Sequence, residues 1–259
     1  MRIGIAGITG RVGRLLVEEV LAAGATVAGG TTRSPEQAAG LPVGIPLFTT
    51  MSALAEECEA VIDFTHADTV ASSAKSLVGT GVAWVLGTTG LSAQQNQMLR
   101  EAAGYMTIVH AANFSPGVTL VRRLAQMMGQ ALPAESYDAE IVEMHHRQKV
   151  DAPSGTALAI GQAVALGRGV ALEDVRESGR DGLTGPRKPG AIGFAALRGG
   201  QIVGEHDVLF TSADEQITLS HRAFDRRIFA TGAVRAALWA KGREAGLYGM
   251  EDVLGLPPL

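Results

Sequence analysis

Cysteine is almost absent from this chain. A single one, Cys58, among 259 residues excludes a disulfide framework and a cysteine-based zinc site. Long apolar runs are missing too: no stretch of about 18 apolar residues without a charge occurs, so no membrane-spanning helix is expected. Positive charge is not in excess. Lys and Arg total 22 against 26 Asp and Glu, a formal −4, which argues against nucleic acid as a partner. No GxxxxGK[ST] sequence occurs, so a P-loop ATPase is not expected. The N-terminal segment turns glycine-rich too early for the apolar region of a secretory signal. These absences leave a cytoplasmic globular protein, of one large domain or two modest ones, as the expectation.

What the chain has in abundance is glycine, 33 of 259 residues, against a usual share of about 7%. The glycines are scattered at turn-like positions, which suggests many tight strand-to-helix turns. Apolar segments at 2–6, 25–30, 60–64, 82–86 and 107–110 read as strands. Helical spacing at 11–23, near 67–79 and at 92–103 separates several of them. Strand–helix alternation predicts a parallel sheet covered on both faces. After about residue 113 the rhythm changes. A helix over 115–131 precedes a strand over 137–144, and a second helix spans 155–167. Segments 191–198 and 202–210 flank Gly199-Gly200, which predicts a hairpin there. Together with 215–222 this is an antiparallel or mixed sheet with helices on one face. An amphipathic helix over 227–245 could return to complete the first domain.

Gly7-Ile8-Thr9-Gly10-Arg11-Val12-Gly13 lies between the first strand and the first helix. This is the context of a dinucleotide-binding turn, in the variant spacing GxxGxxG. Gly7 permits the turn, Gly10 lets the backbone approach a pyrophosphate, and Gly13 lets helix and strand pack closely. Amide groups at the helix start would face the phosphates. The acidic residue that usually ends the second strand is missing; that stretch reads Thr31-Thr32-Arg33-Ser34. An Arg among hydroxyls suits a 2′-phosphate better than a bare 2′-hydroxyl; the alternative for Arg33 is a solvated turn arginine.

The most informative stretch is Glu143-Met144-His145-His146-Arg147-Gln148-Lys149-Val150-Asp151-Ala152-Pro153-Ser154-Gly155-Thr156-Ala157. Four potentially cationic groups fall within five residues, after an apolar strand and before a helix. Imidazole, ammonium and a helix N-terminus at Gly155 and Thr156 together form a receptor for a carboxylate-bearing substrate. A histidine also supplies a proton donor near neutral pH. A basic run can equally be a solvated face. Adjacent histidines on a strand point to opposite sides, so no metal site is expected.

This stretch closely resembles the signature of the dihydrodipicolinate reductase family. The resemblance covers nearly the whole chain. It includes Gly7, Ile8, Thr9, Gly10, Arg11 and Val12, the strand 61–65, Gly87-Thr88-Thr89-Gly90, and Ala111-Ala112-Asn113-Phe114-Ser115. Gly193-Phe194, 202–206 and 229–235 belong to it too. It implies NAD(P)H-dependent reduction of a cyclic pyridine dicarboxylate in bacterial lysine and diaminopimelate biosynthesis. His145 would be the general acid/base and Lys149 the proton donor. His146, Gly155 and Thr156 would hold substrate. Gly7 to Val12, Gly87, Thr88, Thr89, Ala111, Ala112, Asn113 and Phe114 would line the cofactor. The implied fold is α/β: a Rossmann-type parallel-sheet domain (1–113 and 226–259) plus a smaller α+β domain with a mixed sheet (114–225). The second domain would bind substrate and assemble a homotetramer. Thr32-Arg33 departs from the acidic residue common in the family and favours NADPH over NADH.

Two other readings remain in view. A semialdehyde dehydrogenase needs a nucleophilic cysteine, but Cys58 stands among acidic neighbours that disfavour a thiolate. A non-catalytic NADP sensor would have no use for the His145 and Lys149 pair.

Overall fold

The glycine-rich N-terminus folds as strand, turn and helix in the computed structural model, which describes residues 1–258. β1 (Arg2–Ala6) leads into α1 (Arg11–Ala22), then β2 (Thr26–Thr31), β3 (Leu47–Phe48), α2 (Met51–Ala55) and β4 (Ala60–Asp63). There follow α3 (Val70–Leu77), β5 (Ala83–Leu86), α4 (Ala93–Ala102), β6 (Thr107–His110), α5 (Pro116–Ala131) and β7 (Asp138–His145). Next come α6 (Gly155–Gly167), α7 (Leu172–Val175), β8 (Arg176–Ser178), β9 (Ile192–Arg198), β10 (Gly204–Thr211) and β11 (Gln216–Ala223). The chain closes with α8 (Arg227–Ala240), β12 (Gly246–Tyr248) and α9 (Met250–Val253). Two compact units result: Met1–Pro116 with Arg227–Pro258, and Gly117–Arg226.

The first unit is built on a seven-stranded sheet in the order β12-β6-β5-β4-β1-β2-β3. Every pairing in it is parallel. Its strands are apolar on both faces because both are covered. Successive residues go to opposite layers: Ile62, Val85 and Val109 pack with α1, α8 and α9, whereas Val61, Trp84 and Ile108 pack with α2, α3 and α4. Each such buried aliphatic side chain contributes about 1.5–3 kcal/mol of transfer free energy. Gly24 ends α1 in the left-handed region, φ +71°, with its N–H on the Leu21 carbonyl.

A five-stranded sheet, β11-β10-β7-β9-β8, organises the second unit. β7 and β9 are parallel, β10 is antiparallel to both β7 and β11, and the sheet is therefore mixed. The hairpin expected at Gly199-Gly200 is not formed. β7 lies between β9 and β10, so the two glycines carry the chain across the end of β7. Gly199 N–H donates to the His145 carbonyl, and Arg147 N–H donates to Gly200. Inward residues Ala139, Ile141, Ile192, Phe194, Val208 and Phe210 pack with Val121 and Ala125 of α5 and Ala157, Ile160 and Val164 of α6. The other face is not sealed in this way: Val142, Met144 and Leu209 are half-buried, and Leu197 is exposed.

Candidate active site

In the first unit the candidate residues gather where β1 and β2 end. Gly7 adopts φ +69°. Its N–H donates to Thr31 Oγ1 at 3.0 Å, and Ile8 N–H donates to the Thr31 carbonyl at 3.0 Å. A Cβ on Gly13 would come within 2.4 Å of the Gly7 carbonyl oxygen, so only glycine lets α1 begin this close to the turn. A Cβ on Gly30 would meet Ile8 at 2.4 Å. A cleft of about 850 Å³ opens there, lined among others by Gly7, Thr9, Gly10, Thr32, Arg33 and Phe64. Arg33 is exposed at it, and Thr32 beneath is buried, its Oγ1 3.1 Å from Thr9 Oγ1.

The remaining cofactor candidates divide. Ile8 is fully buried and serves the core with its side chain. Arg11 and Val12 lie on the first turn of α1, outside the cleft lining. Gly87, Thr88 and Thr89 follow β5, and Ala111, Ala112, Asn113 and Phe114 follow β6. Gly87 packs on Phe64, whose ring lies 5.5 Å from that of Phe114. Asn113 Oδ1 accepts from Ser115 N–H at 2.8 Å. These segments stand at the C-terminal ends of central parallel strands, where such sheets bind nucleotides. The glycine turn, the cleft and the exposed Arg33 fit a nicotinamide dinucleotide.

Sequence reading missed the hydroxyl-rich wall of this cleft: Thr49, Thr50, Thr65, Thr69, Ser72, Ser73 and Ser76. It also missed Asp63. That fully buried carboxylate accepts Thr65 N–H at 2.9 Å and Thr65 Oγ1 at 2.6 Å, which fixes the loop carrying Phe64. Burial raises its pKa.

In the second unit the chemistry collects at the C-terminal end of β7. His145 is largely buried and places Nδ1 2.7 Å from Glu143 Oε2. Glu143 is completely buried. Its oxygens also take both Arg198 Nη atoms, at 2.8 and 2.7 Å, and Ser154 N–H at 3.0 Å. Burial alone would raise the Glu143 pKa, but the bonds from Arg198, His145 and Ser154 overcome it and hold the group below the usual carboxylate range. Burial lowers the pKa of His145 and outweighs the opposing pull of Glu143; Lys149 and Arg198 add to the lowering. The neutral imidazole therefore donates Nδ1–H to the carboxylate and leaves Nε2 as the outward nitrogen. A Cβ on Gly204 would lie 3.0 Å from that Nε2; glycine leaves it uncovered.

Ser154 caps α6, its Oγ accepting Ala157 N–H at 3.1 Å and lying 3.1 Å from His206 Nε2. Gly155 is exposed and a Cβ there would meet nothing within 4 Å, so this helix start is open. Thr156 follows it, half-buried. Lys149 Nζ pairs with Asp151 at 2.8 Å. His146, the first residue beyond β7, has Nε2 3.2 Å from Arg226 Nη2. So His145, Gly155 and Thr156 belong to one polar constellation, Lys149 follows in the same loop, and His146 bonds toward the chain's exit at Arg226. Glu143 was legible in retrospect, two residues before His145 on a strand and hence on its face. Arg198 and His206 reach the site only through the order of the sheet. Among the described residues no cluster of His, Cys, Asp and Glu could hold a metal ion.

The family model of the dihydrodipicolinate reductase N-terminus matches residues 1–114, and that of its C-terminus matches 117–254. This chain belongs to the dihydrodipicolinate reductase family. A relative from Gluconacetobacter diazotrophicus, named 4-hydroxy-tetrahydrodipicolinate reductase, is 66% identical over 256 residues, covering 99% of this chain and 98% of its own. One of the same name from Granulibacter bethesdensis is 60% identical, with 99% and 97% covered. Among solved structures, the dipicolinate-bound dihydrodipicolinate reductase from Paenisporosarcina superposes with TM-score 0.81 at 25% identity, covering 97% of this chain and 98% of the other. The Rossmann-type sheet with a second mixed sheet is thus the fold of the family, and the chain is an oxidoreductase.

Proposed function

We propose that this protein reduces the dihydrodipicolinate-type cyclic dicarboxylate to tetrahydrodipicolinate, the step for which its relatives are named, in lysine and diaminopimelate biosynthesis. The observation that carries this reading is the His145 constellation: a ring nitrogen held outward beside an open helix start, in a chain of this family. The first unit is the dinucleotide-binding domain and the second binds substrate. A bound NADPH or NADH supplies the hydride.

The protein's share is orientation, counter-charge and a proton. Gly155 and Thr156 at the start of α6 offer main-chain donors to a carboxylate. His146 and Lys149 hold the other, Lys149 with its positive charge as it exchanges Asp151 for the substrate. Two substrate carboxylates near His145 favour its charged form and offset the burial that lowers its pKa. The imidazolium then delivers a proton from Nε2 to the ring carbon beside the one that accepts hydride, while Nδ1–H stays on Glu143. Lys149 assists that protonation. Arg33, with the hydroxyls of Thr32 and Ser34, holds the 2′-phosphate and makes NADPH the preferred cofactor. The half-exposed outer face of the mixed sheet, with Leu197, Met144 and Leu209, joins copies of the chain into a homotetramer. The enzyme works in the cytoplasm, where nicotinamide cofactors are available; no helix among the described residues is long and apolar enough to cross a membrane.

His145→Gln tests the assignment. It keeps size and hydrogen bonding but removes the titrating group. We expect kcat to fall by about 10²–10⁴ with KM little changed. A near-normal kcat with the wild-type pH profile would assign the acid to another group.

A further inference from the structure

Glu143 makes more contacts than an ion pair requires. Its carboxylate has about four lone-pair positions, and four donors reach it: His145 Nδ1, Arg198 Nη1, Arg198 Nη2 and Ser154 N–H. None of its side-chain surface is exposed, whereas Arg198 keeps 20% of its own. Arg198 also donates to the Asp151 carbonyl at 2.7 Å, in the same loop as Lys149. One buried anion is therefore bonded to the histidine, to the residue that caps α6, and to the arginine that grips the connecting loop.

We infer that Glu143, locked by Arg198, is the positioning residue of this active site: it fixes His145 as the Nδ1–H tautomer with Nε2 outward and ties the start of α6 to it. Imidazole has two neutral tautomers, and the partner of one nitrogen decides which lone pair the other presents. With a saturated carboxylate acceptor at Nδ1, no proton can reside on Nε2 until the ring becomes cationic. The same carboxylate holds Ser154 by its N–H. Ser154 Oγ is occupied in turn by Ala157 N–H and lies beside His206. A shift of Glu143 therefore moves the proton donor and the carboxylate cradle together. This inference rests on the reading of His145 as the acid.

Glu143→Gln offers one carbonyl and one amide N–H₂ where four donors converge, so at least one donor meets a donor. It also leaves Arg198 without a counter-ion. The double variant Glu143→Gln/Arg198→Met removes that stray charge, and its melting temperature reports whether the fold is restored. Nitrogen-15 labelling of histidine reports the tautomer of the His145 ring directly. We expect kcat to fall by about 10²-fold or more in both variants, as for other orienting carboxylates. The His145 ring should lose its Nδ1–H tautomer, and the double variant should recover its melting temperature without recovering kcat. An ion pair needed only for folding predicts the reverse: the double variant regains melting temperature and kcat together. Retention of the Nδ1–H tautomer, or a kcat within about threefold of wild type in the double variant, would overturn the inference. His145→Gln alongside distinguishes the two levels, because full activity there overturns the role of His145 itself, and with it any catalytic consequence of Glu143.

Discussion

His206 is almost fully buried in the second unit, and its titration makes a quantitative prediction about acid stability. Burial first, then the neighbouring His145 and His221, push its pKa from 6.5 to about 4. Below pH 6.5 the unfolded chain therefore takes up a proton that the folded one refuses. The native state loses stability as pH falls from about 6.5 to about 4, and the contribution is flat above that window. At about 1.4 kcal/mol for each factor of ten in proton affinity, the full depression corresponds to roughly 3 kcal/mol, and most of it is lost by about pH 4.5. His145 and His221 are lowered too and act in the same direction. Glu143, held low, adds a loss at still lower pH. His206→Gln keeps a polar group beside Ser154 Oγ but removes the titration. Wild type and variant should therefore differ by about 2–3 kcal/mol less in unfolding free energy near pH 4.5 than near pH 7.5. Urea unfolding followed by circular dichroism measures this. Both tryptophans, Trp84 and Trp239, lie in the first unit, so their fluorescence tells whether that unit is spared. A difference between the two proteins that does not change with pH would refute the reasoning.

Arg33→Ala should raise the KM for NADPH and leave that for NADH nearly unchanged, because a single charged contact to phosphate contributes about 1.5–3 kcal/mol; steady-state kinetics with each cofactor would reject the assignment if both lost equally. Lys149→Ala should raise the KM for the dicarboxylate as well as lower kcat, since an ammonium beside a carboxylate acts already in the ground state. The near-neutral limb of the kcat pH profile should survive in that variant. A purely kcat effect would show that Lys149 touches the substrate only in the transition state.

The parallel half of the fold was legible because its signals are local. Gly7, Gly10 and Gly13 sit between a strand and a helix of ordinary length, and the steric reason for Gly13 is found within the same turn. Elements of two to five residues, such as β3, β8, β12, α2, α7 and α9, are too short to display a period. Gly199-Gly200 misled for a different reason. Dipeptides of this kind favour a hairpin, yet the partner of both flanking strands is β7, whose sequence lies more than 40 residues earlier. The same non-local pairing hides Arg198: it stands opposite His145 in the parallel register of β7 and β9, a neighbour that spacing along the chain cannot reveal. His145 and Lys149 announced themselves by charge density. Glu143, with a buried face and no run of like residues, did not. Burial, more than the acidic neighbours Glu57 and Glu59, pushes the Cys58 thiol up to about 11.

The central claim is the reduction itself. Coupling the purified protein to dihydrodipicolinate synthase, which supplies the unstable cyclic substrate, and following NADPH and NADH oxidation side by side tests it most directly. The account predicts synthase-dependent oxidation of both cofactors, faster at limiting concentration with NADPH, and abolished or slowed about 10²-fold or more by His145→Gln. Tight NADPH binding without any synthase-dependent oxidation would contradict it and leave a nucleotide-binding protein that is not a reductase.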